Sequence, residues 1–293
     1  MYRKTISIGA LALLLPIAAP QAAHAQTVSL KPASQWNVDF GDTRCRLARI
    51  FGEGEDQHIL FFDQHYPNDK FGMTVAGPGL KRFSAKAKTQ LQFYTSQTPR
   101  KTEPFKGEAG AYGSAIIFGS AKIEKADAGQ DSKPSSPVLQ IDTDSAAKVE
   151  FVSLAQGKRR VLLQTGPLEE AFKVMNTCTQ DMIRDWELDV EKHLTATKRP
   201  VWTNSRAITR KIQNDYPAAG RSRGEQAVVQ MRIIVDEAGS VEKCVIDKAT
   251  DTNRLESPAC NPMRKAKFEP ALDADGKPFR SYYATPITYL ISP

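Results

Sequence analysis

A switch in hydrophobic period near Gly166 sets the strongest limit on what this chain can fold into. From Thr43 to Thr165, apolar residues come in short runs: TRCRLARIF, HILFFDQ, FGMTVAG, TQLQFYT, SAIIFGSAKI, AKVEFVSLA and RRVLLQT. Gly, Pro, Asn and Asp separate them, which is turn chemistry. Seven or so short strands at this spacing predict a mainly β unit, a sandwich or partial barrel. Beyond it, GPLEEAFKVMNTCTQDMIRDWELDVEKHL carries Leu168, Phe172, Met175, Cys178, Met182 and Trp186 at three- and four-residue intervals. That is the period of an amphipathic helix, with Pro167 at its start. Its apolar face is expected to lie on the preceding sheet and close the unit. The segment ADAGQDSKPSSP, 126–137, has the composition of an exposed loop.

After Pro200 the pattern begins again. Residues 203–215 read as a short helix capped by Thr203 or Asn204 and ended by Tyr216-Pro217. AVVQMRIIVDEAGSVEKCVI reads as two strands around an Asp236-Glu237-Ala238-Gly239 turn. A second helix is expected from about Ser257 to Lys267, and a last strand from about Tyr283 to Ile291. The order helix, strand, strand, helix, strand defines a small open α+β unit. The expected division is a leader at 1–25, a β-rich domain with a C-terminal helix at 26–197, and the α+β unit at 198–293.

The leader reading rests on Arg3-Lys4, an apolar stretch from Ile6 to Ile17 and the small-residue end Ala23-His24-Ala25. Such a layout predicts a secretory signal peptide cleaved after Ala25, since the run is too short and Pro-interrupted to span a bilayer. Losing Arg3 and Lys4 takes the formal charge from +7 to +5. Acidic and basic residues are well mixed, so nucleic acid is not an expected partner. Cys45, Cys178, Cys244 and Cys260 all follow the leader, and in an oxidising compartment four cysteines allow three pairings. Without a Cys-x-x-Cys or a Cys-His cluster, no metal site or cofactor is expected. Cys178 lies on the apolar helix face and Cys45 in the first strand-like run, so a Cys45 to Cys178 bridge would tie the end of the β unit to its beginning.

The residues that punctuate the last third are Tyr216-Pro217, Gly224-Glu225, VVQMRIIVDEAGSV, CVIDKATDTNRLESPAC, Lys267-Phe268-Glu269-Pro270-Ala271, Asp275-Gly276-Lys277-Pro278 and Thr285-Pro286-Ile287-Thr288-Tyr289. In this order they resemble the C-terminal domain of the TonB energy-transducer family, over residues of about 214–293. Leu255, Ala259 and Met263 would form the helix face over the sheet. Cys260 is next round from that face and Cys244 lies on the second strand, so a Cys244 to Cys260 bridge is expected. Pro262 departs from an unbroken helix, and a restart with Asn261 as cap and Pro262 at the first position is expected.

The resemblance implies that the domain grips an extended transporter peptide by adding it as a strand to a sheet edge. The candidate edge is Thr285, Ile287, Thr288, Tyr289 and Leu290, with Tyr216 and Pro217 at its entry; Pro286 interrupts the donors. Proteins of that family have an uncleaved membrane anchor and a Pro-rich spacer. A cleavable leader and a β domain occupy those places here, so energy transduction in the full sense is not expected. The expected function is a soluble periplasmic binding or adaptor protein, linked to TonB-dependent transport at the Gram-negative cell envelope. The alternative is a structural envelope protein that self-associates as a homodimer through the last strand. An enzyme is not expected. Asp63-Gln64-His65-Tyr66 with Asp69 lacks a nucleophile motif and reads as a surface loop, and Asp142 and Asp144 read as two exposed residues on one strand face.

Overall fold

The computed structural model describes residues 26–124, 138–222, 227–248 and 257–289. The leader, the loop at 126–137, Gly224-Glu225, Leu255 and Leu290 lie outside them.

Among the described residues, the strand-rich part has eleven strands in two sheets. One has the order β1 (Gln26–Leu30), β11 (Arg159–Leu163), β10 (Val152–Gln156), β6 (Thr89–Gln92), β7 (Arg100–Thr102). The other runs β2 (Asn37–Phe40), β3 (Cys45–Phe51), β4 (His58–Gln64), β5 (Phe71–Ala76), β9 (Ser114–Ala121), β8 (Phe105–Glu108). Strand alternation places one face inward: Cys45, Leu47 and Phe51 on β3, Leu60 and Phe62 on β4, and Phe71, Met73 and Val75 on β5 are buried. Every pairing in both sheets is antiparallel except β1 with β11, which is parallel.

Two helices accompany the sheets, one between β9 and β10 and one after β11. A short α1 (Thr143–Ala147) is capped by Asp142, whose carboxylate accepts from the amides of Asp144 and Ser145. Asp142 thus starts a helix instead of sharing a strand face with Asp144. The long helix α2 (Glu169–Asp185) buries the apolar stripe expected from sequence, with Leu168, Phe172, Met175, Cys178, Met182 and Trp186 all at or below 8% exposure. Phe172 meets Phe62 edge to face with centroids 5.1 Å apart. Cys178 is bonded to Cys45 of β3, which fixes the helix to the six-stranded sheet. The helix α3 (Val190–Thr195), capped by Asp189, leads into the last third.

That third is an α+β module. β13 (Ala227–Val235) and β14 (Val241–Lys248) form a hairpin, and β18 (Ser281–Tyr289) lies antiparallel on the other side of β13. Asp236 builds the hairpin turn by accepting the amides of Ala238 and Ser240. Gly239 has φ +80°, and a Cβ there would sit 2.0 Å from the Phe268 carbonyl oxygen. Short strands complete the frame: β12 (Val201–Trp202) pairs with β15 (Phe268–Glu269), and β16 (Ala271–Leu272) with β17 (Pro278–Phe279).

One face of the three-stranded sheet is covered by α4 (Ser205–Asn214) and α6 (Cys260–Met263). Ile208, Ile212, Ala259 and Met263 pack there on Met231, Ile233 and Val235. A small α5 (Ala218–Ser222) follows Pro217. Asn204 is the cap residue of α4, but its Oδ1 accepts from Lys267 N and Trp202 Nε1 and makes no cap hydrogen bond. α6 is one turn long, with Ala259 as its cap residue and Pro262 third in it, so the expected helix to Lys267 does not form. Its position is held by the Cys244–Cys260 bridge to β14.

The other sheet face is turned to the strand-rich part. Ile234 belongs to the main core, and Tyr282 and Ala284 pack against it. Trp186 meets Tyr282 edge to face at 5.1 Å and lies under the Arg232 guanidinium at 4.2 Å. The two parts therefore share apolar contacts instead of meeting only through a linker.

Candidate functional site

β18 is an end strand of its sheet, paired with β13 and with no other strand among the described residues. The pairing runs unbroken from Ala227↔Tyr289 to Val235↔Ser281, with Pro286 opposite Gln230. Proline has no N–H, and it fits an unbroken ladder where its nitrogen faces away from the partner strand. In an antiparallel ladder the outward-facing positions alternate, so the amides of Tyr282, Ala284 and Thr288 share that free side. β18 thus keeps donors and carbonyls for another strand, with one donor missing at Pro286.

The residues expected at this edge fall into two groups. Thr288 and Pro286 are exposed, and Thr285 and Ile287 are half-buried. Tyr289 is buried, its ring stacked on Tyr216 at 5.0 Å and its hydroxyl 2.7 Å from Ser257 Oγ. Burial pushes the Tyr289 hydroxyl pKa up, against the opposing effect of the Ser257 bond. Tyr216, Tyr289, Val229, Ile246 and Ile287 form a small apolar cluster at one end of the sheet. Pro217 follows directly, half-buried. Tyr216 and Tyr289 are therefore brought together as packing partners at the entry to the edge.

The first half of β18, Ser281 to Pro286, borders a cleft of about 1620 Å³ between the module and the strand-rich part. No local sequence pattern marks this cleft, because its walls come from strands far apart in the chain. Facing β18 are Phe61 and Asp63 of β4, the turn Gln64 to Lys70, and Phe105 to Glu108 of β8. The Asp63 to Asp69 stretch is a cleft wall and not a simple exposed loop. Asp63 accepts a two-pronged bond from Arg46 at 2.6 and 2.9 Å, and Lys122 holds Asp69 at 2.6 Å. His65 Nδ1 is 2.9 Å from the Thr43 carbonyl, and burial lowers its pKa. Across from it, burial raises the Asp247 carboxyl pKa, against the opposing charges of Arg232 and His65.

His193 lies on the floor, between Phe279 at 5.0 Å and Tyr282 at 5.5 Å. Its Nδ1 is 2.6 Å from the Asp189 carbonyl, while burial keeps its pKa low. Burial also raises the Tyr282 hydroxyl pKa above the ordinary phenol value.

The last third is thus an open α+β module with a bridged helix on one sheet face and an outer strand paired on one side only among the described residues. Residues 212–291 match the family model of the Gram-negative bacterial TonB protein C-terminal, and this part of the chain is a TonB C-terminal domain. No curated protein and no solved structure matches the chain. Among the described residues, no helix is long and apolar enough to cross a membrane.

Proposed function

We propose that the protein is a binding or adaptor protein of the Gram-negative envelope, whose TonB C-terminal domain docks an extended polypeptide by strand addition along β18. The observation that carries this reading is the outer strand Ser281–Tyr289, paired on one side only among the described residues. The match of residues 212–291 to the TonB C-terminal family supports the envelope setting and a protein partner, with a transporter segment as the first choice. The leader-like start supports export to the periplasm. The role is one of binding and not catalysis, with residues 26–197 as a second folding unit that holds and flanks the docking edge.

Thr288→Pro tests the reading. Its amide faces away from β13, so the substitution removes a donor from the free side and leaves the β13–β18 ladder intact. The full chain is expected to bind short β-forming peptides in fluorescence anisotropy, and Thr288→Pro to weaken that binding with unchanged thermal unfolding. The same exposed edge also admits a second copy of the chain. Concentration-dependent dimers abolished by Thr288→Pro, with no peptide bound, would establish self-association in its place.

A further inference from the structure

Among the described residues, four buried side-chain atoms make no hydrogen bond: Gln64 Oε1, Thr165 Oγ1, His193 Nε2 and Ser281 Oγ. Gln64, His193 and Ser281 all line the cleft, and they are 3%, 6% and 0% exposed. Buried polar groups are almost always paired, so three unpaired ones behind the wall of a single cleft set this region apart from the rest of the described interior.

Charge says what kind of ligand suits it. The lining cations Arg46 and Lys198 are matched by Asp63 and Glu269. Arg44, Lys70, Lys106 and Arg199 have no carboxylate within ion-pair distance among the described residues, although Lys106 donates to the Lys81 carbonyl. Of the lining carboxylates Asp63, Asp69 and Glu108, the first two are paired, which leaves Glu108 alone against those cations.

Size and edges say what shape. The cleft exceeds the roughly 300–1,000 Å³ of small-molecule pockets. It is bordered by two end strands, β18 of the module and β8 of the six-stranded sheet. An extended main chain is the ligand that such edges hydrogen-bond.

We infer that the cleft is a composite site for an acidic, extended polypeptide. Its main chain adds to β18, and its carboxylates meet Arg44, Lys70 and Arg199. This inference rests on the strand-addition reading and adds to it the charge of the partner and a wall supplied by the strand-rich part.

The test uses the full chain and three short fluorescent peptides that alternate valine with aspartate, asparagine or lysine. The aspartate peptide is expected to bind about tenfold more tightly than the asparagine peptide, and the lysine peptide more weakly than either. Combining Arg44→Glu, Lys70→Glu and Arg199→Glu should bring the aspartate peptide down to the asparagine level, as should high salt. If the triple variant does not fold, Lys70→Gln with Arg199→Gln reads the same loss at smaller size. Equal binding of the aspartate and asparagine peptides, unchanged in the charge variants, would overturn the acidic preference and leave strand addition standing. Failure of all three peptides would remove both readings. Binding of polygalacturonate without any peptide would overturn the inference in favour of an acidic polysaccharide.

Discussion

Tyr282 of the outer strand β18 meets Trp186, the residue that ends α2, edge to face with ring centroids 5.1 Å apart. The same indole carries the Arg232 guanidinium of the neighbouring strand at 4.2 Å. Arg280 extends the joint, binding the Glu242 carboxylate of β14 and donating to the Glu187 carbonyl at 2.8 Å. The strand that offers the docking edge is thereby seated on the end of the helix that closes the strand-rich part.

This seating predicts coupled unfolding. Trp186 is 8% exposed, and Trp186→Ala removes the ring, its aromatic partner and its cation contact together. A loss of about 3 kcal/mol or more is expected in urea titration. Far-UV circular dichroism and a fluorescent label on the module should report one shared transition in the parent protein. Two well-separated transitions, with only one moved by the substitution, would show that the contact does not couple the parts.

The two bridges should differ in their worth. Cys45–Cys178 closes a sequence separation of 133 residues and Cys244–Cys260 one of 16. Constraint of the unfolded chain grows slowly with loop length, which gives on the order of 5 kcal/mol for the first and about 3 kcal/mol for the second. Paired alanine substitutions, compared by urea titration under oxidising conditions, are expected in that order. The reverse order would mean that chain entropy does not govern these bridges.

Local chemistry was readable in the sequence where one element carries its own pattern. The stripe from Leu168 to Trp186, the Asp236–Gly239 reversal and both cysteine pairings needed only periodicity and a partner element in reach. The family resemblance over about 214–293 rested on ordered short motifs, and the matched region is 212–291. What escaped was assembly between distant segments. β1 pairs in parallel with β11 across more than half the strand-rich part, and nothing in QTVSL announces its partner. The cleft is likewise invisible locally, because Gln64, His193 and Ser281 become neighbours of one space only after both sheets and the module are in place. Near Cys260 the sequence misled for a different reason: a Pro at 262 and a bridge to β14 hold a single turn where apolar spacing suggested a longer helix.

Gly239 should tolerate no side chain. Its φ of +80° is left-handed, and an added Cβ would meet the Phe268 carbonyl carbon and oxygen at 3.0 and 2.0 Å. That contact cannot relax freely, because the Phe268 amide also donates to the Gly239 carbonyl at 2.9 Å. Gly239→Ala is expected to cost about 3 kcal/mol or more, combining backbone strain with a steric shift. Gly157, at φ +56° with nothing within 4 Å of the same position, isolates the backbone effect. Gly157→Ala should cost only about 1 kcal/mol. Equal losses in the two variants would remove the steric explanation.

Stability should fall on acidification because of buried imidazoles, and His193 is the clearest case. Burial holds its pKa below the ordinary value, outweighing the opposing pull of the Asp189 carbonyl. In the unfolded chain the same ring ionises near about 6.5. Below that pH the unfolded state binds a proton that the folded state refuses, so stability is lost as pH falls toward the folded value. The slope approaches about 1.4 kcal/mol per pH unit for one such group, and above about 6.5 the contribution is flat. His58 and His65 act in the same direction, since burial lowers both. Asp247 acts oppositely: its raised pKa lets the folded state take a proton first, which offsets the loss at the acidic end. His193→Phe keeps a ring between Phe279 and Tyr282 but no longer titrates, so its melting temperature should drop less between neutral and mildly acidic pH than that of the parent. An unchanged pH profile in this variant would show that His193 is not a source of the acid sensitivity.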